Sequence, residues 1–475
     1  MRRILSLSLV ATVALGACSE QPSAPSSTPS FSVATTGSSA GNLTGRHLVS
    51  FTGSVPATFR VQIALLGGKV EWVSTRAGLA SVSGLSSAAA STLAGTKGIQ
   101  QVAADQSFAL DDPGLDASNV VSADATETQA NPAGAFFFPR QWNMRAVGAN
   151  LAWAAGFLGS SSVSVFILDT GIDYLNLDLN GLVDQSRSTD LLGTFTVGGV
   201  SFTERDTVTK YFPTRQPFTD LYFHGTHVGA TVSSLALGAA GVTSRTELVA
   251  VKVCAYLNTC PFSSILNGVI YAADHGADVV NMSLGGGFSK AGNGVFVGLI
   301  NKTFNYARSK GVTIVVAAGN AAADLDHNGN TYTTYCNTPS VICVSATGPT
   351  AQVSINGPWT DVDAPSYFTN FGSSAIDVAA PGGNNASFVW ATCSRTSLLI
   401  PVCQTGNFFV GAQGTSMATP HVAGTAALLV PILGRDPAAI KDRILETADD
   451  LGASGTDPFY GKGRLNVARA VGAIP

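Results

Sequence analysis

Three side chains in this sequence stand where they could do covalent chemistry together. Asp169 follows the continuous apolar run Val163 to Leu168, of strand length, so its carboxylate is expected at the C-terminal edge of a sheet, where reacting groups gather. His224 lies in FHGTHVGATV, whose small and β-branched residues let a helix pack tightly while its first His faces a cleft. Ser416 lies in GAQGTSMATPHVAGTAALLV, where Gly411 and Gly414 permit a tight turn and an apolar helix follows. Its hydroxyl is thereby expected at a helix N-terminus, where backbone N–H groups favour developing negative charge. A serine hydroxyl is a poor nucleophile at neutral pH, so it needs a base within reach and a carboxylate that holds the base in the right tautomer. Singly, each residue is more often a cap or a packing residue than a catalyst; the weight lies in their co-occurrence. The pair His224 and His227 has a HxxH spacing, which lacks the Glu and the i, i+4 geometry of a zinc protease, so no metal site is read here.

The order Asp, His, Ser along the chain is the subtilisin arrangement, distinct from the orders that build the same geometry in chymotrypsin and the α/β-hydrolases. VFILDTGID, HGTHV and GTSMATPHVAG resemble the three signature segments of the subtilisin-like serine protease family, the subtilases. The resemblance implies a serine endopeptidase with Asp169, His224 and Ser416 as its triad and protein or peptide substrates. VVAAGN, ending at Asn320, is similar to the family's oxyanion segment, which implies that Asn320 and the backbone N–H of the nucleophile bind the tetrahedral oxygen. NMSLGG resembles the segment that pairs with an extended substrate, so Ser283, Leu284 and Gly285 are expected to line the cleft. The tail FYGKGRLNV also fits, and the likeness spans about residues 141 to 470. It implies no cofactor for catalysis, a preference for apolar or aromatic residues before the scissile bond, and structural roles for His227 and His421. A structural calcium is only weakly supported. Asp178 stands where several members have a calcium ligand, yet the partner loop near Leu235 to Val242 contains no Asn or Asp. The interval from Asp169 to His224 is long for the compact members, so residues 182 to 218 are expected to form an insertion near the cleft.

Positioning these groups calls for an α/β fold. From residue 141 onward strands alternate with helices, the signature of a mainly parallel sheet covered on both faces. Ser263 to His275 reads as a helix with Ser263 available as N-cap, followed by the strand Asp278 to Met282. Val295 to Arg308 reads as a second helix, leading to the strand Val312 to Val316, and Asp436 with Pro437 marks a third helix start. The fold class read here is thus the subtilisin-like three-layer α/β fold, residues 141 to 475. A small α+β, ferredoxin-like domain precedes it, residues 45 to 110, in the order βαββαβ. That domain resembles the family's inhibitory propeptide, which implies a self-processing zymogen whose own N-terminal domain is an intramolecular inhibitor. A segment ending near Leu110 is expected in the substrate groove, with the cut somewhere in the polar linker 111 to 140.

The 475 residues leave room for both domains. MRRILSLSLVATVALGAC, residues 1 to 18, reads as an export signal. Its end resembles the lipobox of bacterial lipoproteins, which implies lipidation at Cys18 and attachment to a membrane, with ordinary secretion as the alternative. Residues 19 to 44, rich in Ser, Thr, Pro and Gly, read as a flexible tether. Of the seven cysteines, six remain for an oxidising, extracytoplasmic compartment. Their spacing favours three short loops, Cys254 with Cys260, Cys336 with Cys343 and Cys393 with Cys403, among the 15 pairings that six cysteines allow. A net charge of −4 and no large Lys/Arg cluster exclude a phosphate-binding surface, and so a nucleic-acid partner. A monomer is expected.

Overall fold

The computed structural model describes residues 42–110, 119–122, 131–197, 200–333, 335–338 and 341–475. Cys18 and nearly all of the tether lie outside the described residues.

The small domain runs β1 (Asn42–Phe51), α1 (Phe59–Leu65), β2 (Lys69–Ser74), β3 (Leu79–Ser83), α2 (Ser87–Ala94) and β4 (Ile99–Phe108), the order expected from the sequence. Its antiparallel sheet has the order β4-β1-β3-β2. The pleat sends alternate residues to opposite faces. Val49 and Phe51 join Ala80 and Val82 in a core closed by Phe59, Ile63 and Leu93 of the two helices, whereas Leu48 and Leu79 pack into the core of the larger domain. Strand β1 starts at Asn42, inside the stretch read as tether. The long β4 offers Gln106 and Ser107 as ladder partners to Leu43 and Asn42, so the pairing extends past the apolar residues that marked the strand.

In the stretch read as a linker, β5 (Val120–Ser122) pairs antiparallel with a later strand. Residues 131–140 dock as two short 3-10 turns, with Phe137 buried against Trp390 and Phe409. After α3 (Trp142–Ala146) and α4 (Ala149–Ala154) come β6 (Ser164–Asp169), β7 (Thr189–Asp190), the hairpin β8 (Thr194–Val197) with β9 (Val200–Thr203), and α5 (Glu204–Tyr211). Everything from β7 to α5 lies in the expected insertion. Then follow α6 (His224–Val232), β10 (Glu247–Lys252), β11 (Cys260–Pro261), α7 (Phe262–Asp274), β12 (Val279–Met282), β13 (Gly287–Ser289), α8 (Gly294–Ser309), β14 (Thr313–Ala317), β15 (Thr331–Thr333) and β16 (Val341–Thr347). The chain ends with β17 (Ala351–Gln352), β18 (Trp359–Thr360), β19 (Val378–Pro381), β20 (Val389–Thr392), β21 (Phe408–Ala412), α9 (Thr415–Leu433), α10 (Pro437–Glu446) and α11 (Val467–Ala470).

The central sheet has seven strands, all parallel, in the order β19-β16-β14-β12-β6-β10-β7. Its helices form two packed groups, α7 with α8 and α6 with α9 and α10, which makes three layers. Among the described residues, α9 alone is long and apolar enough to cross a membrane, and here it is the buried core helix, Thr415 to Val430 being shielded from solvent. Ser263 is not the N-cap of α7. The helix begins at Phe262, and the Ser263 N–H and hydroxyl both donate to Asp105 of β4, at 2.8 and 2.7 Å. A carboxylate from the small domain supplies what a local cap would have supplied. The three short cysteine loops form as disulfides: Cys254–Cys260, Cys336–Cys343 and Cys393–Cys403.

Candidate active site

The sheet order brings the predicted residues together. Strands β6, β12 and β14 are neighbours and parallel, so the residues at or just past their C-terminal ends share one edge: Asp169 on β6, Ser283 after β12 and Asn320 after β14. Helices α6 and α9 pack against each other and against the sheet, and each carries a predicted residue in its first turn, His224 and Ser416.

Asp169 is fully buried, and its Oδ1 accepts hydrogen bonds from Thr170 N at 2.7 Å and from His224 Nδ1 at 2.8 Å. A carboxylate only accepts, so Nδ1 carries the proton, and Nε2 is the acceptor in the neutral ring. Thr170 Oγ1 donates to Asp220 Oδ1 at 2.9 Å and accepts from Gly225 N at 2.9 Å, which ties the end of β6 to the start of α6. Asp220 also accepts from Tyr222 N and from the N–H and hydroxyl of Thr226. Burial pushes its carboxyl up to about 6 against those hydrogen bonds. Asp220 and Thr170 form the frame that holds the Asp–His pair. The sequence signal for Asp220 was weak: a carboxylate four residues before a histidine, with no periodic pattern around it.

Ser416 is 6% exposed, and its Oγ donates to Ser283 O at 3.1 Å. Ser283 Oγ in turn donates to Ser416 O at 2.7 Å and accepts from Asn281 Nδ2 at 3.0 Å, so the cleft segment is bonded directly to the serine. Asn320 Oδ1 accepts from the Thr415 N–H at 2.8 Å and from its hydroxyl at 2.9 Å. Those two donors decide the amide orientation and make Nδ2 the donor end.

The cleft segment also meets a piece of this same chain, at Gly286. At the end of β4, Ser107 and Phe108 pair antiparallel with Pro261 and Cys260 of β11. The Phe108 ring lies 5.8 Å from that of Phe262 and 6.3 Å from that of Phe288, and over Gly286, where an added Cβ would stand 2.5 Å from the ring. Leu110 is buried two residues further on, its N–H donating to Asn258 Oδ1. The disulfide Cys254–Cys260 closes the loop that carries this wall.

Asp178 is buried with Oδ1 accepting from Leu237 N and Gly238 N and Oδ2 from Ala239 N, at 2.9, 2.8 and 2.9 Å. The facing loop turns N–H donors toward the carboxylate, so these residues do not fit a calcium ion, which requires oxygens. Among the described residues no group of three His, Cys, Asp or Glu is placed to hold a metal.

His227 donates from Nε2 toward the carbonyls of Val389 and Val410. His421 donates from Nδ1 to Met417 O, while Asn143 Nδ2 donates to its Nε2 at 2.9 Å. Burial pushes their pKa values down, to about 3 and about 4, so both rings are held neutral. The folded-state values lie below the unfolded value of 6.5, so the unfolded chain binds protons first, and stability present above pH 6.5 is lost as pH falls toward 4. The urea-unfolding advantage of His421 over His421→Gln, measured in chains silenced at Ser416, is therefore expected to shrink by about 1.4 kcal/mol per pH unit across that window. An advantage independent of pH would contradict a neutral buried ring.

A model of the subtilase family matches residues 160–463, which include every residue of this edge. The chain belongs to the subtilase family. It is 32% identical over 344 residues to thermitase of Thermoactinomyces vulgaris, covering 72% of this chain and 99% of that protein. It is 32% identical over 326 residues to subtilisin of Bacillus pumilus, covering 66% of this chain and 92% of the relative. Among solved structures, the epidermin leader peptide processing serine protease of Staphylococcus aureus superposes with a TM-score of 0.68 at 21% identity, over 90% of this chain and 97% of that one. That likeness is one of fold, and its coverage reaches into the small domain. This subtilase is a serine endopeptidase acting on protein or peptide substrates.

Proposed function

We propose that this subtilase cleaves peptide bonds through Asp169, His224 and Ser416 and is made as a zymogen inhibited by its own N-terminal domain. The observation that carries the reading is the buried Asp169–His224 hydrogen bond on the same sheet edge as Ser416. As substrate binds, the Ser416 hydroxyl turns from Ser283 O to His224 Nε2, which takes its proton as Oγ attacks the scissile carbonyl. Asn320 Nδ2 and the Ser416 N–H hold the oxyanion, and Asp169 stabilises the imidazolium. His224 then gives the proton to the leaving amine, and water, deprotonated by the same ring, hydrolyses the acyl-enzyme.

Substrate lies extended along Ser283, Leu284 and Gly285, opposite β11. The self-segment Ser107 to Leu110 supports this, since it adds to β11 as a strand, with Phe108 half-buried and Leu110 buried, two positions on one face. Bulky apolar residues at alternate positions before the scissile bond are thus favoured, and the same segment blocks the cleft in the precursor. The activating cut falls in the linker between Leu110 and Asn131, a reading supported by the pairing of β4 with β11 on one side and the docked turns of residues 131–140 on the other. Three disulfides support an oxidising, extracytoplasmic site of action, reached through the export signal with Cys18 as the lipid anchor.

The test is labelling with a fluorophosphonate, mapped by mass spectrometry on processed protein. The adduct is expected on Ser416 alone. Folded, processed protein that stays unlabelled would mean a silent catalytic centre.

A further inference from the structure

The insertion between β6 and α6 holds a side chain that has no part in catalysis. Arg46 of β1 lies on the strand face that carries Leu48 toward the peptidase domain, and it is 3% exposed. Four oxygens of that domain converge on its guanidinium. Nε donates to Thr194 O at 3.1 Å, and Nη2 donates to Thr194 O and Leu192 O. Nη1 reaches the hydroxyls of Ser263 and Ser264 at 3.4 and 3.3 Å. Between the two carbonyls stands Gly193, in the left-handed region with φ +60°, where a Cβ would come within 3.1 Å of Nη2. A side chain there would be strained and would crowd the guanidinium.

The receptor is braced from behind. Glu204 at the start of α5 forms a 2.7 Å ion pair with Lys252 at the end of β10, both fully buried, and accepts from Tyr256 N at 3.1 Å. The hairpin is thereby tied to the central sheet and to the loop that leads into β11. On the other flank Asp105 of β4 takes the Ser263 N–H and hydroxyl and the hydroxyl of Thr44, so one cation and one anion of the small domain meet the same helix start. The guanidinium supplies five N–H donors in a fixed fork, which serves two carbonyls and two hydroxyls better than an ammonium can.

We propose that the insertion is a docking site for the N-terminal domain, separate from the catalytic cleft, and that its arginine socket keeps that domain bound after the chain is cut. This rests on the zymogen reading above, but the docking is measurable without catalysis. In the full chain carrying Ser416→Ala, a recognition sequence for an added viral protease replaces residues 123 to 130. After cutting, dissociation of the small domain is followed by size-exclusion chromatography over time. Arg46→Ala is expected to speed release on the order of 100-fold, as loss of one partner of a buried charged hydrogen-bond cluster does, with Arg46→Lys in between. Because Arg46→Ala could unsettle the small domain itself, Ser263→Ala with Ser264→Ala tests the socket from the peptidase side and is expected to speed release in the same direction.

Release of the Arg46→Ala fragment at the unsubstituted rate, with the small domain still folded by circular dichroism, overturns the socket, as does a serine pair that changes nothing. The zymogen reading is judged separately, in chains with Ser416 intact: hydrolysis of a peptide at full rate while the cut domain stays bound defeats inhibition and leaves the release rates to decide the docking.

Discussion

Ser416→Ala is expected to lower kcat for peptide hydrolysis by on the order of 10⁶-fold and to leave the N-terminal domain uncut. The loss is chemical rather than structural. The hydroxyl makes one bond, to Ser283 O, whereas the bonds that seat the start of α9 use the Ser416 carbonyl and the side chains of Ser283, Asn320 and Thr415. Removing one hydroxyl at such a place costs about 1 kcal/mol of stability. The comparison is intact mass and N-terminal sequence of wild type beside the variant, both exported with Cys18 replaced. A variant trimmed in the same way as wild type, after purification away from other proteases, would show that Ser416 does not perform the activating cut.

Asp169→Asn is expected to lower kcat about 10⁴-fold with KM little changed. The reason lies at Oδ1, which accepts from both Thr170 N and His224 Nδ1. If the amide puts its NH2 there, it faces two N–H donors and drives the histidine into the tautomer that presents N–H to Ser416. If it keeps its oxygen there, the NH2 falls at the position of Oδ2, which is buried without a hydrogen-bond partner. Either arrangement loses the negative charge opposite the imidazolium. The pH profile of the remaining activity adds a second readout, because a base that no longer pairs with a carboxylate recovers as hydroxide rises. Retention of more than a tenth of wild-type kcat at neutral pH would remove Asp169 from the mechanism.

Much of this site was legible from local pattern. The run from Val163 into Asp169, the small-residue helix at His224 and the turn before Ser416 each describe one element and the group at its end, and the sheet edge collects them because parallel strands share a direction. The three short cysteine loops were legible too, since close spacing in sequence limits how far apart the partners can lie. Ser263 shows where local reading ends. Its type and place announce a helix cap, but its donors go to Asp105, 158 residues away. Asp178 shows the same in reverse: a residue read as a weak calcium ligand is satisfied by three backbone N–H groups of a loop far along the chain.

What the amino-acid order settled by itself is the set of elements and the chemical groups at their ends, because turn residues, apolar period and motif spacing are properties of neighbours in the chain. The tertiary structure alone decided how those ends meet: the pairing of Phe108 with β11, the framing of Asp169 by Asp220, and the seating of Arg46 between Leu192, Thr194 and the start of α7. Each of these joins groups from distant parts of the chain. Their hydrogen bonds form only once burial of both cores has excluded water and fixed the distance between elements, and a one-dimensional pattern does not contain that distance.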